Sequence, residues 1–541
     1  MKFFEKMMAL LLSLAAVLSF AMPAFAEDTT TAPAGSHTIT IRFEKPDHEY
    51  EAYQVFKGDY FKDKNGDGHL STISWGDGVN GPALLIALKA ETNAGLATDF
   101  ENANTAEEVA DILAGYHDDS AKLDAFAKLV EAHLTDVVAG TSTRLPDKDA
   151  AGQYVYTISV IGDGYYFVKD SKTLSAGAND ANTKYILQVL NDVEIHAKAD
   201  VPDIDKKITG VDGTDQGKQG SYNVGDTIYF ALTSKVPAMD GYTSYTYKVT
   251  DTLSDGLTLV QENGVPQVTV TIGGDPYTGE VEATLDADKN VLTIEFTNFI
   301  TQKGNAGRDI VIRYSAVLNE NALQKDKETN TVNLEYSNDP NTTGTGKTTD
   351  KKTYVYNFDI DIVKVDQNDK TKQLNGAEFV LYHEDAPGKK EYYHYTTDKK
   401  TEWVPLNDDE LETITEAVKA GNITSKKTIV GKTSFTGLKA GTYYLLEIKA
   451  PDGYSLPTAP VKVVITAAYD ANGAIDKDNS NVQVKTNGHL YIEEKITNKP
   501  GPVLPSTGGI GTTIFYVLGG ILTVAAIVLL IVKKRMENTK R

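Results

Sequence analysis

One stretch in the middle of the chain decides its fold: Tyr245-Thr246-Tyr247-Lys248-Val249-Thr250-Asp251. Tyrosine, valine and threonine favour β-strands, and successive side chains along a strand point to opposite faces. Asp251 therefore shares a face with Tyr247 and Val249, where apolar side chains are expected. A carboxyl group in that position predicts a polar site inside the core of a β-sheet protein.

Two further strands of the same region carry a polar residue on their apolar face. In the strand 204–208, a period of two places Lys206 between two inward isoleucines, although a slip of one residue would make Lys207 the inward lysine. Along 332–338, Asn338 continues the apolar face. We therefore expect one lysine, one aspartate and one asparagine to point into one core.

Burial favours the neutral forms of such groups, because an unpaired charge in a core is very costly. A neutral amine is a nucleophile, and a protonated carboxylic acid polarises an amide carbonyl. The pattern predicts an amide bond between Lys206 and Asn338, formed with loss of ammonia and assisted by Asp251. The simpler alternative is a lysine paired with a carboxylate at the end of a sheet.

The pattern recurs nearer the C-terminus. Lys364 has the phase of the apolar residues that precede it on its strand, and Glu447 closes the strand that begins at Tyr443. Asn498 follows Ile496 with the same phase. We expect a second bond, between Lys364 and Asn498, with Glu447 as the acid.

Strand patterns with turn residues between them run through most of the chain, and the period becomes helical only between about 82 and 140. Thr105 and Glu108 form a capping box, and a second helix is expected over 120–134. The predicted fold is mainly β: tandem immunoglobulin-like sandwiches with a helical insertion in the first. The expected domains are 37–199, 200–355 and 356–499, which agrees with about 150 residues per domain.

The charge, cysteine content and histidine positions of the chain exclude several classes of function. The formal charge of −22 argues against nucleic-acid binding, and the absence of cysteine excludes disulfides as the source of rigidity. None of the nine histidines lies in a zinc spacing or a recognisable catalytic triad, so a wall hydrolase is disfavoured. The turn 63–68 imitates the start of a calcium loop but lacks the closing carboxylate at Ser74, which favours a plain turn and leaves calcium binding open. We expect no metal and no cofactor.

Both ends of the chain carry targeting patterns. Two lysines, an apolar run and Ala24-Phe25-Ala26 predict a signal peptide over 1–26. Residues 500–541 contain a spacer, a pentapeptide, an apolar run long enough to cross a bilayer, and the basic cluster 533–535. The pentapeptide consists of Leu504, Pro505, Ser506, Thr507 and Gly508.

This C-terminal order resembles the sorting signal of Gram-positive surface proteins, the substrate of sortase transpeptidases. The resemblance implies cleavage between Thr507 and Gly508, followed by transfer of Thr507 to an amine. The strand 443–447 with Pro451-x-Gly453-Tyr454 resembles Cna B-type pilin domains, and it implies the roles already given to Lys364, Glu447 and Asn498. The region 200–355 is similar to the pilin domain type whose Lys–Asn bond is assisted by an aspartate. Residues 165–168 are only a faint echo, so no such bond is expected in the first domain.

Lys198 is the expected acceptor amine. Along 191–200 the apolar side chains occupy one face and Lys198 the other, so it points to solvent at the junction of the first two domains. On composition alone it would be an ordinary surface lysine. The segment resembles the pilin motif of sortase-assembled backbone pilins, but it has His196-Ala197 where Tyr-Pro is usual and Ala199 where Asn is usual.

These features together predict a secreted, peptidoglycan-anchored shaft subunit of a covalent pilus, with Thr507 of one subunit joined to Lys198 of the next. Such a protein is not a turnover enzyme. Its expected partners are a pilus-specific and a housekeeping sortase, further copies of itself, a peptidoglycan precursor and, for adhesion, a host surface ligand. The alternative is a monomeric wall-anchored adhesin, or a minor or basal pilin of the same modular build.

Overall fold

The computed structural model describes residues 35–62, 64, 68–92, 94–116, 121–196, 201–239, 241–340, 342–470, 472–502 and 510–538. The expected signal peptide, Lys198 and the pentapeptide 504–508 lie outside these residues, as does most of the turn 63–68. We refer to residues 35–196, 201–356 and 357–502 as the N-terminal, central and C-terminal regions. The domain limits given above remain predictions.

The N-terminal region contains two sheets. Its strands are β1 (Ser36–Phe43), β2 (Tyr50–Lys62), β3 (Gly68–Trp75), β4 (Gly140–Thr141), β5 (Thr143–Arg144), β6 (Tyr154–Ile161), β7 (Gly164–Asp170), β8 (Lys184–Val189) and β9 (Val193–His196). One sheet has the order β5-β6-β1-β9, and the other has the order β3-β2-β7-β8 with β4 beside β2. The first strand, β1, pairs with β9 in parallel.

Helices lie between β3 and β4, where the helical period was predicted. They are α1 (Gly81–Ala90), α2 (Leu96–Asp99), α3 (Ala106–Leu113) and α4 (Ala121–Ala132). The capping box is confirmed, since the Thr105 side chain accepts from the Glu108 amide and the Glu108 carboxylate accepts from the Thr105 amide. The helices share a core with β2 and β7 that includes Phe56, Leu84, Phe100, Phe126 and Phe167.

The central region is a pair of larger sheets. Its strands are β10 (Ile204–Thr209), β11 (Asp215–Gly217), β12 (Gln219–Ser221), β13 (Thr227–Lys235), β14 (Tyr247–Leu253), β15 (Leu257–Leu259), β16 (Gln261–Glu262), β17 (Val265–Pro266), β18 (Thr269–Ile272), β19 (Asp275–Pro276), β20 (Val281–Asp286), β21 (Val291–Phe296), β22 (Asp309–Leu318), β23 (Glu328–Ser337), β24 (Thr345–Lys347) and β25 (Lys351–Tyr356). The sheets have the orders β11-β10-β13-β22-β18-β19 and β12-β25-β23-β14-β21-β20. Short 3₁₀ helices span Phe299–Asn305 and Glu320–Gln324.

The C-terminal region repeats this two-sheet plan. Its strands are β26 (Phe358–Asp366), β27 (Glu378–Ala386), β28 (Lys389–Tyr395), β29 (Thr401–Pro405), β30 (Ser425–Lys427), β31 (Lys432–Leu438), β32 (Gly441–Lys449), β33 (Val461–Ile465), β34 (Gln483–Val484) and β35 (Leu490–Asn498), with α5 (Leu411–Lys419) between β29 and β30. The sheet orders are β31-β26-β35-β34 and β29-β28-β27-β32-β33. The first and last strands, β26 and β35, are parallel neighbours.

A further helix, α6 (Ile510–Asn538), contains the predicted apolar run. By length and composition it is able to cross a membrane. The prediction of a mainly β chain with a helical insertion in its first part is confirmed.

Neighbouring regions contact one another through loops. The amide of Asn182 donates to the carbonyl of Asn338 at 2.8 Å, which joins the N-terminal and central regions. On the other side, the amide of Thr401 donates to the carbonyl of Val224 at 2.7 Å.

A buried ionic cluster fixes the loop that makes the first of these junctions. The imidazole of His48 has its Nδ1 2.7 Å from Asp170 and its Nε2 3.0 Å from Asp180, and Lys172 donates to the second carboxylate at 2.7 Å. The Tyr156 hydroxyl donates to the Lys45 carbonyl and accepts from the His48 amide, so its hydrogen bonds are to backbone groups. Two carboxylates are satisfied together only by an imidazolium, which donates from both nitrogens. Burial alone would lower the pKa of His48, but its hydrogen bonds to the two aspartates outweigh burial and raise that pKa.

We therefore expect the N-terminal region to lose stability as the pH rises. A raised pKa in the folded state means that the contribution of His48 is complete below about 6.5 and disappears as the pH rises through the folded value. In a Trp403→Phe background, where Trp75 is the remaining tryptophan, urea unfolding followed by fluorescence should show His48→Gln destabilising the region more at pH 6 than at pH 9. His133→Gln is the control, because it removes a histidine of the same region without touching either aspartate. Equal destabilisation by His48→Gln at both pH values would contradict the charged cluster.

Candidate functional site

The predicted C-terminal residues lie together. Lys364 on β26, Glu447 on β32 and Asn498 at the end of β35 are all buried, with Lys364 at 0% exposure. The parallel register sets Ile496 opposite Lys364 and Asn498 opposite Asp366, which brings the asparagine beside the lysine. The acid arrives from the opposite sheet.

One carboxyl group bridges the amine and the amide. The Nζ of Lys364 donates to Glu447 Oε2 at 2.6 Å and also to Asn498 Oδ1, while Asn498 Nδ2 donates to Glu447 Oε1 at 2.6 Å. Burial lowers the pKa of Lys364 and raises the pKa of Glu447, so both groups shift toward their neutral forms. The arrangement holds a nucleophile, an acid and an amide carbonyl in contact.

Two tyrosines of the predicted motif support this cluster. The hydroxyl of Tyr443 donates to the carbonyl of Lys439 at 2.8 Å, which fixes the start of β32. The hydroxyl of Tyr454 donates to Asp366 at 2.7 Å and closes the end of the site beyond the lysine. The cluster is therefore held by its own supports and excluded from water.

The central region holds a similar cluster with different geometry. Lys206 on β10 and Tyr314 on β22 come from one sheet, and Asp251 on β14 comes from the other. Lys206 Nζ donates to Asp251 Oδ2 at 2.5 Å and to the Tyr314 hydroxyl at 2.5 Å, and that hydroxyl donates to Asp251 Oδ2 at 2.6 Å. Lys206 and Asp251 are both at 0% exposure.

Burial dominates the electrostatics of this cluster. It lowers the pKa of Lys206 to about 8 and raises the pKa of Asp251. It also raises the pKa of Tyr314 far above its ordinary value, so the phenol keeps its proton. Lys207, the alternative lysine, points outward and pairs with Asp215, which confirms the strand phase that placed Lys206 inside.

The structure does not bring Asn338 to Lys206, and this predicted pairing needs correction. Asp251 lies opposite Val332, so Asn338 is six residues further along β23 and its continuation, about 20 Å away at ~3.4 Å per residue. Asn330 is the residue that the sequence reasoning missed. It has the same phase, 0% exposure and a position diagonal to Asp251, and its Nδ2 donates to the Tyr314 hydroxyl at 2.7 Å.

Two buried oxygens in the central cluster have no hydrogen-bond partner: Asp251 Oδ1 and Asn330 Oδ1. Both are acceptors when the aspartate is ionised, and unpaired buried acceptors are costly. A proton on Asp251 supplies the missing donor. The orphaned atoms therefore agree with a neutral acid facing an amide carbonyl.

The N-terminal region contains the same tyrosine and acid along a strand, but its acid has no lysine partner among the described residues. Tyr166 donates to the carbonyl four residues earlier at 2.8 Å, as Tyr443 does, and Asp170 occupies the place of Glu447 four residues later. The partner of this carboxyl group is His48 rather than a lysine. The sequence carried this signal, since Asp170 continues the inward phase of Tyr166 and Val168 along the same strand.

The remaining predicted residues lie outside the described part of the chain. These are Lys198 and the pentapeptide from Leu504 to Gly508, whose roles remain predictions. Among the described residues there is no group of three or more His, Cys, Asp or Glu side chains arranged to hold a metal ion.

Successive parts of the chain match three known families. Residues 224–340 match the Gram-positive pilin backbone subunit 2, Cna-B-like domain, and residues 358–481 match the SpaA prealbumin-like fold domain. Residues 496–538 match the LPXTG cell wall anchor motif.

Two curated proteins are similar over much of their length. Fimbrial subunit type 2 of Actinomyces naeslundii is 27% identical over 378 residues, covering 65% of this chain and 64% of that protein. The trypsin-resistant surface T6 protein of Streptococcus pyogenes serotype M6 is 27% identical over 397 residues, covering 63% and 70%. The chain thus spans about two thirds of the length of these relatives.

Among solved structures, the T6 backbone pilin of serotype M6 Streptococcus pyogenes aligns with a TM-score of 0.47 and 18% identity, over 87% of this chain and 100% of that chain. The LPXTG cell wall anchor motif and the similarity to a fimbrial subunit place the protein at the cell wall, on the surface of a Gram-positive cell. Successive parts of the chain thus match a Gram-positive pilin backbone domain, a SpaA prealbumin-like domain and the LPXTG cell wall anchor, which makes the chain similar to Gram-positive backbone pilins.

Proposed function

We propose that this pilin is the shaft subunit of a covalently polymerised pilus and that its central and C-terminal regions each close an internal Lys–Asn isopeptide bond. The observation that carries the proposal is the buried contact of Lys364, Glu447 and Asn498 in a chain without cysteine. A thin external fibre needs subunits that stay folded, and here a cross-link other than a disulfide supplies this.

In the C-terminal region the reaction needs no group beyond the three side chains. The neutral amine of Lys364 attacks Cγ of Asn498, and the Nζ–Cγ bond forms. Glu447 takes a proton from Nζ on one oxygen and gives its own proton to Nδ2 from the other, as its two 2.6 Å contacts allow. The Cγ–Nδ2 bond then breaks, ammonia leaves, and Glu447 ends in its starting form.

In the central region the same reaction joins Lys206 to Asn330, in place of the Asn338 first expected. A lysine with a pKa of about 8 is neutral in roughly one molecule in ten at pH 7, far more often than a solvated lysine. The contact of Lys206 with Asp251, and the shared contact of Lys206 and Asn330 with one hydroxyl, support this pairing.

Each bond closes a loop of more than a hundred residues. In the chain-entropy account, a cross-link of that span stabilises the folded state by about 4–5 kcal/mol. Unlike a disulfide, an amide is not broken by reductants. The two bonds therefore provide the rigidity that the composition leaves unexplained.

Polymerisation uses a different amine. A pilus-specific sortase cleaves after Thr507 and transfers its carbonyl to Lys198 of the next subunit, and a housekeeping sortase transfers the last Thr507 to a peptidoglycan precursor. Lys198 follows β9, whose Glu194 is held by Arg42 at 2.6 Å. The cross-link and the polymer joint thus involve separate lysines, which makes them separable by mutation.

Recombinant 27–503 should weigh about 34 Da less than its sequence, because each bond releases one ammonia of about 17 Da. Lys364→Met should halve the deficit, and Lys206→Met with Lys364→Met should abolish it. Intact-mass spectrometry measures both. An undiminished mass in the wild type would rule out both internal bonds.

The two candidate asparagines are distinguished by the same measurement. Asn330→Ala should leave only the deficit of the C-terminal bond, because the amide that contacts the Tyr314 hydroxyl is lost. Asn338→Ala should retain the full deficit, since Asn338 lies about 20 Å further along the strand from the position opposite Asp251. The opposite pattern would restore the pairing first predicted from strand phase.

Lys198→Arg should abolish the high-mass ladder that wall extracts show on an immunoblot in boiling denaturant. Arginine keeps the charge but is not a nucleophile at any accessible pH. Lys207→Arg, the same change at a lysine whose side chain is 40% exposed, should leave the ladder unchanged. A full ladder in the Lys198 variant would assign the joint to another lysine, and a single band in the wild type would favour the monomeric adhesin.

A further inference from the structure

The hydroxyl of Tyr314 is the meeting point of the central cluster. It accepts from Lys206 Nζ at 2.5 Å and from Asn330 Nδ2 at 2.7 Å, and it donates to Asp251 Oδ2 at 2.6 Å. The ring stacks on Phe230 with centroids 5.4 Å apart, so the hydroxyl is held in place by packing. No other side chain in the described part of the chain forms hydrogen bonds with both the Lys206 amine and the Asn330 amide.

The C-terminal cluster shows which contacts are needed between the amine, the acid and the amide. There Glu447 contacts the amine with one oxygen and the amide nitrogen with the other, each at 2.6 Å. Asp251 is shorter by one methylene, and it contacts Lys206 through Oδ2 while its Oδ1 has no partner. Asn330 Nδ2 donates its hydrogen bond to Tyr314 and not to the aspartate.

We propose that Tyr314 is a catalytic residue of the central cross-link, and that its hydroxyl carries a proton from the attacking amine to the departing nitrogen. This inference rests on the proposed Lys206–Asn330 bond and adds a third acting group to it. In the C-terminal region the carboxyl group of Glu447 does this work alone. In the central region the work is divided: Asp251 polarises the carbonyl and Tyr314 moves the proton.

The atoms balance along this route. Lys206 Nζ, as the neutral amine, attacks Cγ of Asn330, and the carbonyl electron pair moves to Oδ1, where the protonated Asp251 stabilises it. Nζ then gives one proton to the Tyr314 oxygen while the tyrosine gives its own proton to Nδ2. The Cγ–Nδ2 bond breaks, ammonia leaves with three hydrogens, the carbonyl re-forms, and the new amide keeps one hydrogen. Tyr314 and Asp251 end as they began.

The phenol suits this role because it remains protonated. Burial and the neighbouring Asp251 raise the pKa of Tyr314 well above its ordinary value, so it acts as a neutral donor and acceptor at once. The charged or titratable side chains that contact its hydroxyl are Lys206 and Asp251, from β10 and β14. Both are reactants or helpers of the same step.

The test follows Tyr314→Phe in recombinant 27–503 by intact-mass spectrometry, with tryptic mapping of the two bonds. General acid–base help is typically worth a factor of about 100 or more, so the central bond should form at least about 100-fold more slowly. Freshly purified protein should lack about 17 Da of the wild-type deficit and gain it only during long incubation. The C-terminal bond should form normally.

Tyr336→Phe is the matched control, since it removes a buried hydroxyl of the same region that bonds Asn179 rather than a residue of the cluster. It should leave both bonds intact. The rescue is Tyr314→Phe with Asp251→Glu, which gives the carboxyl group the length that Glu447 has. This double variant should recover the central bond, whereas a purely structural loss at Tyr314 would not be repaired by it.

Each outcome either supports or overturns proton transfer by Tyr314. A slow Tyr314→Phe that is rescued by Asp251→Glu supports the proton relay. A Tyr314→Phe that links at the wild-type rate, or a loss that the second change does not repair, overturns it while leaving the Lys206–Asn330 bond in place. A wild type with no central bond removes the bond and the relay together.

Discussion

A lysine amine enclosed between two β-sheets is the constraint on which the rest of this structure depends. Lys206 and Lys364 have no exposed surface, and a charged ammonium in that position would be severely destabilising without compensation. The chain meets this by placing a carboxyl group against each amine, from the opposite sheet. The neutral pair that burial favours is also the reactive pair, so the feature that threatens the fold supplies the chemistry that would secure it.

The two clusters solve the problem with different connections. In the C-terminal region the lysine and asparagine belong to neighbouring parallel strands of one sheet, and only the acid crosses the core. In the central region the lysine and tyrosine face an aspartate and an asparagine on the other sheet, so the proposed bond would join the two sheets. The N-terminal region has the tyrosine and the acid, but the partner of the acid is the imidazole of His48, so the interaction is an ion pair instead of a covalent bond. A single strand pattern thus supports three kinds of closure.

Strand phase accounts for what the sequence could predict. It favoured Lys206 over Lys207 without excluding Lys207, pointed Lys364 and Glu447 into one core, and gave Asn498 the inward face that Ile496 also occupies. Strand phase predicts which face a side chain occupies, but it does not predict the register between neighbouring strands. For this reason the sequence pointed to Asn338, whereas the register places Asn330 near Asp251. Tyr314 was out of reach for the same reason, since its hydroxyl meets the lysine only through the pairing of β10, β13 and β22. The mainly β fold and the helical insertion needed only local periodicity and caps.

If the proposed bonds form, the position of β25 would make the central and C-terminal regions respond differently to tension. In the C-terminal region a tensile force acts between the start of β26 and the residues just after Asn498. A bond from Lys364 to Asn498 would carry this force past nearly the whole region, so the region would not extend. In the central region β25 follows Asn330, and residues 331–356 would remain in the path, held by the pairing of β25 with β23 and β12. Drawn out fully, that segment measures about 85 Å. Each subunit would then contain one region that cannot extend and one segment, 331–356, that extends when its strand pairing breaks. A fibre of many copies would absorb a sudden load by separating these strands while the cross-linked cores stay folded.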